Sequence, residues 1–141
     1  LRPKLHAVQT AGCAPLARAW QHAVASGGGK NAGPRWSECM WAWENVQSSL
    51  ADGILDDETY DWVGVCNAMA DSGGSPVVAT EQHVVSAYAL AHKVTSIDVS
   101  PTGTAGLAGL LAIRGEIAND ERVVVVFSGV RRHFMPLPTA Q

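Results

Sequence analysis

Two polar turns in the second half of the chain follow apolar segments and offer hydroxyl groups to a ligand. Ser128 comes directly after the apolar run 123–127, and Thr102 lies in the turn that follows the apolar segment 96–99. If both segments are strands, these hydroxyls lie at the carboxyl edge of a sheet, where open α/β folds collect their ligands. The Ser128 hydroxyl could then form a hydrogen bond with a bound molecule. The plainer interpretation, in which Ser128 only ends a strand, stays open.

The segment that begins at this turn is rich in small residues. Gly or Ala occupies positions 103, 105, 106, 108, 109 and 112, so a helix here has almost no side-chain bulk. A Gly in a helix costs about 1 kcal/mol relative to Ala. The composition therefore indicates a need for close packing, either against the sheet or against a flat ligand. It is not a dinucleotide fingerprint, because Ala105 stands where the second Gly is required.

Other chemically capable residues do not form a recognisable catalytic or metal site. The glycine-rich segment 27–30 resembles a phosphate loop, but Asn31 follows its lysine and a predicted helix precedes it, so we expect a surface loop. The five histidines lack metal-ligand spacing. The three cysteines, Cys13, Cys39 and Cys66, have neither a zinc-binding spacing nor the even number of a disulfide framework. We expect no metal ion.

Two further groups of residues have structural interpretations. One is a group of acidic residues at positions 52, 56, 57, 58 and 61. It fits a solvated turn in which Asp57 caps the helix that follows. The alternative is a group of carboxylates that faces a cationic substrate or metal. Trp36, with Met40 and Trp43 at helical spacing, predicts a short helix with a bulky stripe. Together with Trp41, this stripe fits a core or a subunit contact.

Length and composition predict one globular domain. The chain has 141 residues, of which 47% are hydrophobic and 16% are charged. A net charge of −3 with ten Lys and Arg disfavours nucleic-acid binding. We expect no membrane span, because no apolar run approaches the length of a bilayer. The N-terminus has no initiating Met and no signal-peptide core, which suggests a processed start. The unpaired cysteine count fits a reducing cytoplasm.

The elements that must position these residues alternate between strand and helix. We predict strands at 5–9, 76–79, 96–99 and 122–127. We predict helices that start at Pro15, behind Asp57, at 81–94 with Thr80 as its cap, and at Pro101. Such alternation predicts the α/β class with a partial doubly wound, mainly parallel sheet and helices on both faces. The last strand is apolar throughout, as expected for a central parallel strand.

Five segments, in this order, resemble the threonine synthase-like members of the fold-type II pyridoxal-phosphate-dependent enzymes. They are residues 4–16, 49–54, 71–91, 100–108 and 123–129, which together cover almost the whole chain. Residues 49–54, for example, resemble the family's S-I-A-D-G-I segment. The resemblance implies that residues 1–133 are the C-terminal portion of such a catalytic domain, followed by a tail at 134–141.

The resemblance also implies a cofactor, pyridoxal 5′-phosphate, and residues that contact it. Ser128 matches the hydroxyl residue at the pyridine nitrogen, and Thr102 and Gly103 match the turn that lines the ring. A neutral hydroxyl at this nitrogen favours elimination or replacement at the β or γ carbon of an amino acid over transamination. Ser100 departs from the family, because Glu usually begins this turn.

No catalytic residue is assigned within the chain. The three lysines, Lys4, Lys30 and Lys93, match none of the contexts in which the family places its imine-forming lysine. We therefore expect the isolated chain to be inactive and to need its missing N-terminal half or a second copy, most simply as a homodimer. The expected substrate is a small amino acid. The alternatives are a non-catalytic binding or assembly module of the same ancestry and an unrelated α/β ligand-binding domain.

Overall fold

A computed structural model describes residues 2–25 and 35–131 and places two parallel strands between layers of helices. β1 (Val8–Thr10) pairs with β2 (Val77–Ala79), so that Val8 lies opposite Val77. The predicted strand at 76–79 is confirmed, whereas the one predicted at 5–9 overlaps β1 only at residues 8–9. Parallel neighbours need a long crossover connection, and the segment between β1 and β2 supplies it.

The helices of the described residues follow the order that the sequence predicts. They are α1 (Pro15–Ala25), α2 (Trp36–Cys39), α3 (Trp62–Ser72), α4 (Glu81–Val94) and α5 (Ala105–Ile113). Single turns of 3₁₀ helix lie at Asp52–Ile54, Thr102–Thr104 and Arg114–Glu116. No helix among them is long and apolar enough to cross a membrane.

The strands separate two apolar cores, one on each face. On one face Ala7 packs against α1, α2 and α3, around the fully buried Trp62 and Cys66. On the other face Val8 and Ala79 contact the apolar residues of α4 and α5. Because successive strand residues point to opposite faces, neighbours in the chain reach different cores. The predicted α/β class with helices on both faces is confirmed.

The helix ends show which local signals were correct. Thr80 caps α4 by accepting a hydrogen bond from the His83 N–H, as predicted. Gly73 ends α3 with a left-handed φ of 75°. The predicted cap at Asp57 is wrong, because α3 begins only after Asp61. The Asp57 carbonyl instead accepts a hydrogen bond from the Trp43 N–H (2.9 Å), which holds it in a loop.

Two of the four predicted strands are not strands in the structure. In the segment 96–99, Val99 makes only an isolated antiparallel bridge to Val130. The segment 122–127 has no regular secondary structure, and Val124 and Val126 are 89% and 71% exposed. The expectation of a central strand covered on both faces is therefore wrong, because no neighbouring strand among the described residues pairs with it.

Some predicted segments fall outside the described residues. These are the surface loop at 27–30 and the tail at 134–141.

Close approach to β1 explains the small residues of α5. A Cβ at Gly109 would lie 2.3 Å from a methyl group of Val8, and one at Gly106 would lie 3.3 Å from the Val125 side chain. The helix therefore packs on the strand on one side and under residues 125–126 on another. Of the two explanations that the sequence allowed, close packing against the sheet accounts for Gly109.

Replacing Gly109 with Ala should destabilise the fold although Ala is the better helix former. The added methyl group must displace Val8, and such overpacking costs about 1–3 kcal/mol. Urea unfolding followed by tryptophan fluorescence measures the loss. Gly115→Ala is the control, because nothing lies within 4 Å of a Cβ at that position. Equal stability of the two variants would contradict the packing argument.

Candidate functional site

The segment 47–54, here called the strap, crosses the carboxyl ends of both strands. The Gln47 N–H donates to the carbonyl oxygen of Gly12 (3.1 Å), two residues beyond β1. The Leu50 N–H donates to a carboxylate oxygen of Glu81 (2.7 Å), two residues beyond β2. The strap is thus tied to both turns that leave the carboxyl edge of the sheet, where ligands of open α/β folds bind.

A third anchor joins the strap to the turn at 100–104. The Gly53 N–H donates to the Thr102 hydroxyl oxygen (3.1 Å). A Cβ at Gly53 would lie 2.9 Å from the same oxygen, so only glycine allows this approach without a shift. Thr102, which the sequence assigns to the cofactor turn, therefore also positions the strap.

Hydrogen bonds between residues three positions apart stabilise the turn at 100–104. The Ser100 hydroxyl accepts from the Gly103 N–H (3.0 Å), and the Thr104 hydroxyl donates to the Pro101 carbonyl (2.8 Å). Thr104 is fully buried, so the turn is fixed before a ligand arrives. The Ser100 side chain thus acts as an acceptor for the backbone.

The structure brings the three predicted site residues together. The Ser128 N–H donates to the Gly103 carbonyl (3.3 Å), and the Ser100 N–H donates to the Gly129 carbonyl (3.0 Å). A Cβ at Gly103 would lie 2.2 Å from the Gly129 carbonyl oxygen, so the two backbones touch. Thr102 is the next residue in the chain. The Ser128 side chain is exposed and accessible to a ligand.

Among the described residues, this edge carries hydroxyl groups but no amine that could form an imine. It offers a rigid turn and an exposed hydroxyl, which suit a flat polar ring. Lys4 precedes β1 and pairs with Glu121 (3.9 Å), at the amino end of the strand. Lys93 lies in the last turn of α4, about 20 Å along the helix from the carboxyl edge. Both described lysines therefore lie away from Ser128.

The cysteine nearest this edge is structural. Cys13 follows the turn behind β1, is fully buried, and its thiol donates to the Asp56 carbonyl (3.2 Å). Burial, followed by the charges of Asp57 and Asp56, raises the pKa of this thiol. Burial also raises the pKa of Cys66 to about 11. Both thiols stay protonated at neutral pH, and neither is an activated nucleophile.

The tryptophans do not form the single stripe that the sequence predicts. Only residues 36–39 are helical, so Trp36 and Trp43 do not share a helix face. Trp36 packs edge-on against Trp62 at 5.5 Å. The Arg18 guanidinium instead lies over Trp41, 3.9 Å from the ring centroid, and 5.0 Å from Trp43. Burial lowers the pKa of Arg18, which remains charged.

Sequence reasoning missed the strap anchors. Glu81 fits the first turn of a helix, and Gly12 fits a turn, so neither signals a contact with the strap. The resemblance of residues 49–54 to a family segment drew attention to this region but did not predict its hydrogen bonds to the neighbouring elements. Within the described ranges no three His, Cys, Asp or Glu side chains are grouped to hold a metal ion.

Comparisons with known proteins give one family and one fold. A family model described as pyridoxal-phosphate dependent enzyme matches residues 1–129. The structure is similar to the crystal structure of a threonine deaminase from T.th., with a TM-score of 0.67 and 17% sequence identity. The alignment covers 93% of this chain and 41% of that one, so the chain spans about two fifths of its length. No curated protein sequence matches significantly.

Removing the Thr102 hydroxyl should release the strap at Gly53. In Thr102→Val the Gly53 N–H loses its acceptor, and a hydrogen bond worth about 1 kcal/mol corresponds to roughly fivefold faster amide exchange. Hydrogen exchange by NMR measures this at Gly53. The Leu50 amide, held by Glu81, is the internal reference, and Thr102→Ser should retain protection. Unchanged exchange at Gly53 in Thr102→Val would show that the hydroxyl does not anchor the strap.

Proposed function

Because the chain belongs to the pyridoxal-phosphate-dependent enzymes, we propose that its carboxyl edge is the ring side of a cofactor site. The observation that carries this proposal is the contact between Ser128 and the turn at Thr102–Thr104, which the strap holds in place. The proposed reaction is elimination or replacement at the β or γ carbon of a small amino acid, as in enzymes similar to threonine synthase or threonine dehydratase.

The chemistry of the proposed site depends on what faces the pyridine nitrogen. When bound, pyridoxal phosphate supplies an electron sink for bonds at the substrate's α carbon. Ser128 would hydrogen-bond the ring nitrogen through a neutral hydroxyl, which does not hold that nitrogen protonated as a carboxylate would. The turn adds Thr102 and the Ser100 hydroxyl, and no carboxylate. These groups favour elimination and replacement over transamination.

The positions of the lysines support inactivity of the isolated chain. Lys4 and Lys93, the lysines within the described ranges, lie at the amino end of β1 and at the far end of α4. The imine-forming amine is therefore proposed to come from the rest of the catalytic domain. The same observation favours a second candidate, a binding module that has kept the ring-side turn without the catalytic lysine.

An uncovered apolar face beside Ser128 supports a missing partner. Val124, Val126 and Val130 are 89%, 71% and 66% exposed, and they alternate with Ser128 at every second position. Exposed valines at alternate positions form an apolar surface that another part of the domain can cover. We assign this face to the missing N-terminal half of the catalytic domain. Three free, buried cysteines fit the reducing cytoplasm that we propose for the enzyme.

The isolated chain should not form a specific imine with pyridoxal phosphate. Lys4 and Lys93 have no neighbouring cofactor site, so any reaction should be slow and spread over all lysines. Borohydride reduction followed by peptide mass spectrometry measures where the cofactor is attached. A stable adduct on one lysine, Lys30 included, would show that the chain carries its own imine-forming residue and is not an inactive part.

A cofactor analogue should bind at Ser128 without any lysine. Pyridoxine phosphate carries an alcohol in place of the reactive aldehyde, and we expect it to shift the amide NMR signals of Thr102, Gly103 and Ser128. Ser128→Ala should weaken this binding by about two- to tenfold, the usual effect of one neutral hydrogen bond. Ser96→Ala, at the exposed first residue of the 96–99 segment, is the control.

Two results would contradict the assignment of the cofactor site. One is the absence of shifts at the turn and at Ser128 under saturating analogue. The other is equal binding by Ser128→Ala and Ser96→Ala, which would make Ser128 no more than the end of an apolar segment.

A further inference from the structure

One hydrogen bond from α4 reaches the residue directly before the turn at 100–104. The Nε2 atom of His92 lies 3.0 Å from the carbonyl oxygen of Val99. A carbonyl oxygen only accepts, so Nε2 carries the hydrogen and donates. Val99 is fully buried, which shields its carbonyl from water. Without His92, this buried carbonyl would lose its donor, and such a loss is costly.

The peptide group that follows Val99 is bound at both ends. The Val99 carbonyl and the Ser100 N–H belong to one planar peptide group, so two hydrogen bonds fix its orientation. The Ser100 N–H donates to the carbonyl oxygen of Gly129 (3.0 Å). The His92 side chain of α4 therefore holds this group from one side, and Gly129 holds it from the other.

The Val99 side chain packs against the turn itself. A Cβ at Gly103 would lie 2.7 Å from a methyl group of Val99, so the two residues are in close contact. The Gly103 carbonyl accepts a hydrogen bond from the Ser128 N–H (3.3 Å). A shift of Val99 would therefore move the turn and Ser128 with it.

The imidazole of His92 is itself held in place on α4. It lies edge-on to the ring of Tyr88, with ring centroids 4.7 Å apart and an interplanar angle of 83°. Tyr88 is fully buried and lies one helical turn earlier, at the spacing at which side chains on a helix meet. The donor is thus oriented by the helix before it meets Val99.

We propose that His92 is a positioning residue for the cofactor site proposed at Ser128. Its hydrogen bond orients the peptide group between Val99 and Ser100, and this orientation sets where the turn and Ser128 meet. The proposal rests on the proposed function, because the turn matters for the reaction only if it contacts the cofactor ring. His92 acts through the backbone and is assigned no contact with a ligand.

Three substitutions at one position test the donor and its reach. His92→Gln keeps an N–H donor at the same number of bonds from Cβ as the imidazole Nε2, so it should retain the hydrogen bond. His92→Asn carries the same amide one bond closer to the backbone, and it should not reach Val99. His92→Phe keeps a ring beside Tyr88 but has no donor. Asn and Phe resemble His in helix propensity, so α4 should persist.

Hydrogen exchange and imidazole spectra measure the positioning without a ligand. We expect the Ser100 and Gly103 amides to exchange about tenfold faster in His92→Asn and His92→Phe, and at the native rate in His92→Gln. The Leu50 amide, held by Glu81, is the internal reference. In the unmodified chain, the ¹⁵N spectrum of His92 should show a hydrogen on Nε2.

Titration with pyridoxine phosphate measures the effect on the proposed site. His92→Asn and His92→Phe should weaken binding about three- to tenfold, whereas His92→Gln should bind as the unmodified chain does. Ala19→Gly is the control for general destabilisation. Ala19 is buried in α1 in the other core, and its replacement should lower the folding equilibrium constant about five- to tenfold. This variant should bind the analogue with unchanged affinity.

Three results would overturn the proposal. The first is equal behaviour of His92→Gln and His92→Asn, since reach would then be irrelevant. The second is an Nε2 without a hydrogen, or unchanged exchange at Ser100 and Gly103 in His92→Phe. The third is a loss of affinity in Ala19→Gly as large as that in His92→Phe.

Failure of the proposed function gives a different result. If the unmodified chain does not bind pyridoxine phosphate, the cofactor site is wrong. The exchange rates and the imidazole spectrum then decide by themselves whether His92 positions the turn.

Discussion

Three backbone N–H groups of the strap, at Gln47, Leu50 and Gly53, determine how the carboxyl edge is built. Their acceptors are the Gly12 carbonyl, the Glu81 carboxylate and the Thr102 hydroxyl. The acceptors belong to the turn after β1, the start of α4 and the turn at 100–104, so one segment fixes the spacing of all three. Gln47 and Gly53 are exposed and Leu50 is half-buried, so each of these hydrogen bonds contributes about 1 kcal/mol at most. A shift of one of these elements would break the hydrogen bond that ties it to the strap.

The second constraint is the contact between the backbones of Gly103 and Gly129, and it determines where Ser128 lies. The main chains of Gly103 and Gly129 are in contact. Ser128, which precedes Gly129, therefore lies directly beside the turn. A side chain at either glycine would separate them. In the same way, the absence of a side chain at Gly109 lets α5 pack closely on β1. The small residues thus bring helix, turn and Ser128 to one place, and the position of the Ser128 hydroxyl follows from that packing.

Local sequence signals predicted those elements whose ends depend on neighbours in the chain. Pro15 starts α1, Thr80 caps α4 and Gly73 ends α3 because each acts within one helical turn. The strand predicted at 122–127 was wrong, because a high β propensity does not provide a neighbouring strand to pair with. The strap contacts were also invisible, since Leu50 and Gly53 meet residues 31 and 49 positions away. The nearness of Ser128 to the turn at 100–104 was predicted, although the segments before them are not strands in the structure.

The direction of α4 explains why the chain contributes one side of the proposed site. The helix begins at the carboxyl edge, where Thr80 caps it, and Lys93 lies in its last turn at the opposite end. The lysine of this helix is therefore far from the proposed site. Lys4 enters at the amino end of β1 for the same topological reason. Among the described residues, this edge therefore carries the turn at 100–104, the Ser128 hydroxyl and the Glu81 carboxylate, but no amine. The parallel topology supports the proposed division of the site, with ring contacts here and the amine elsewhere.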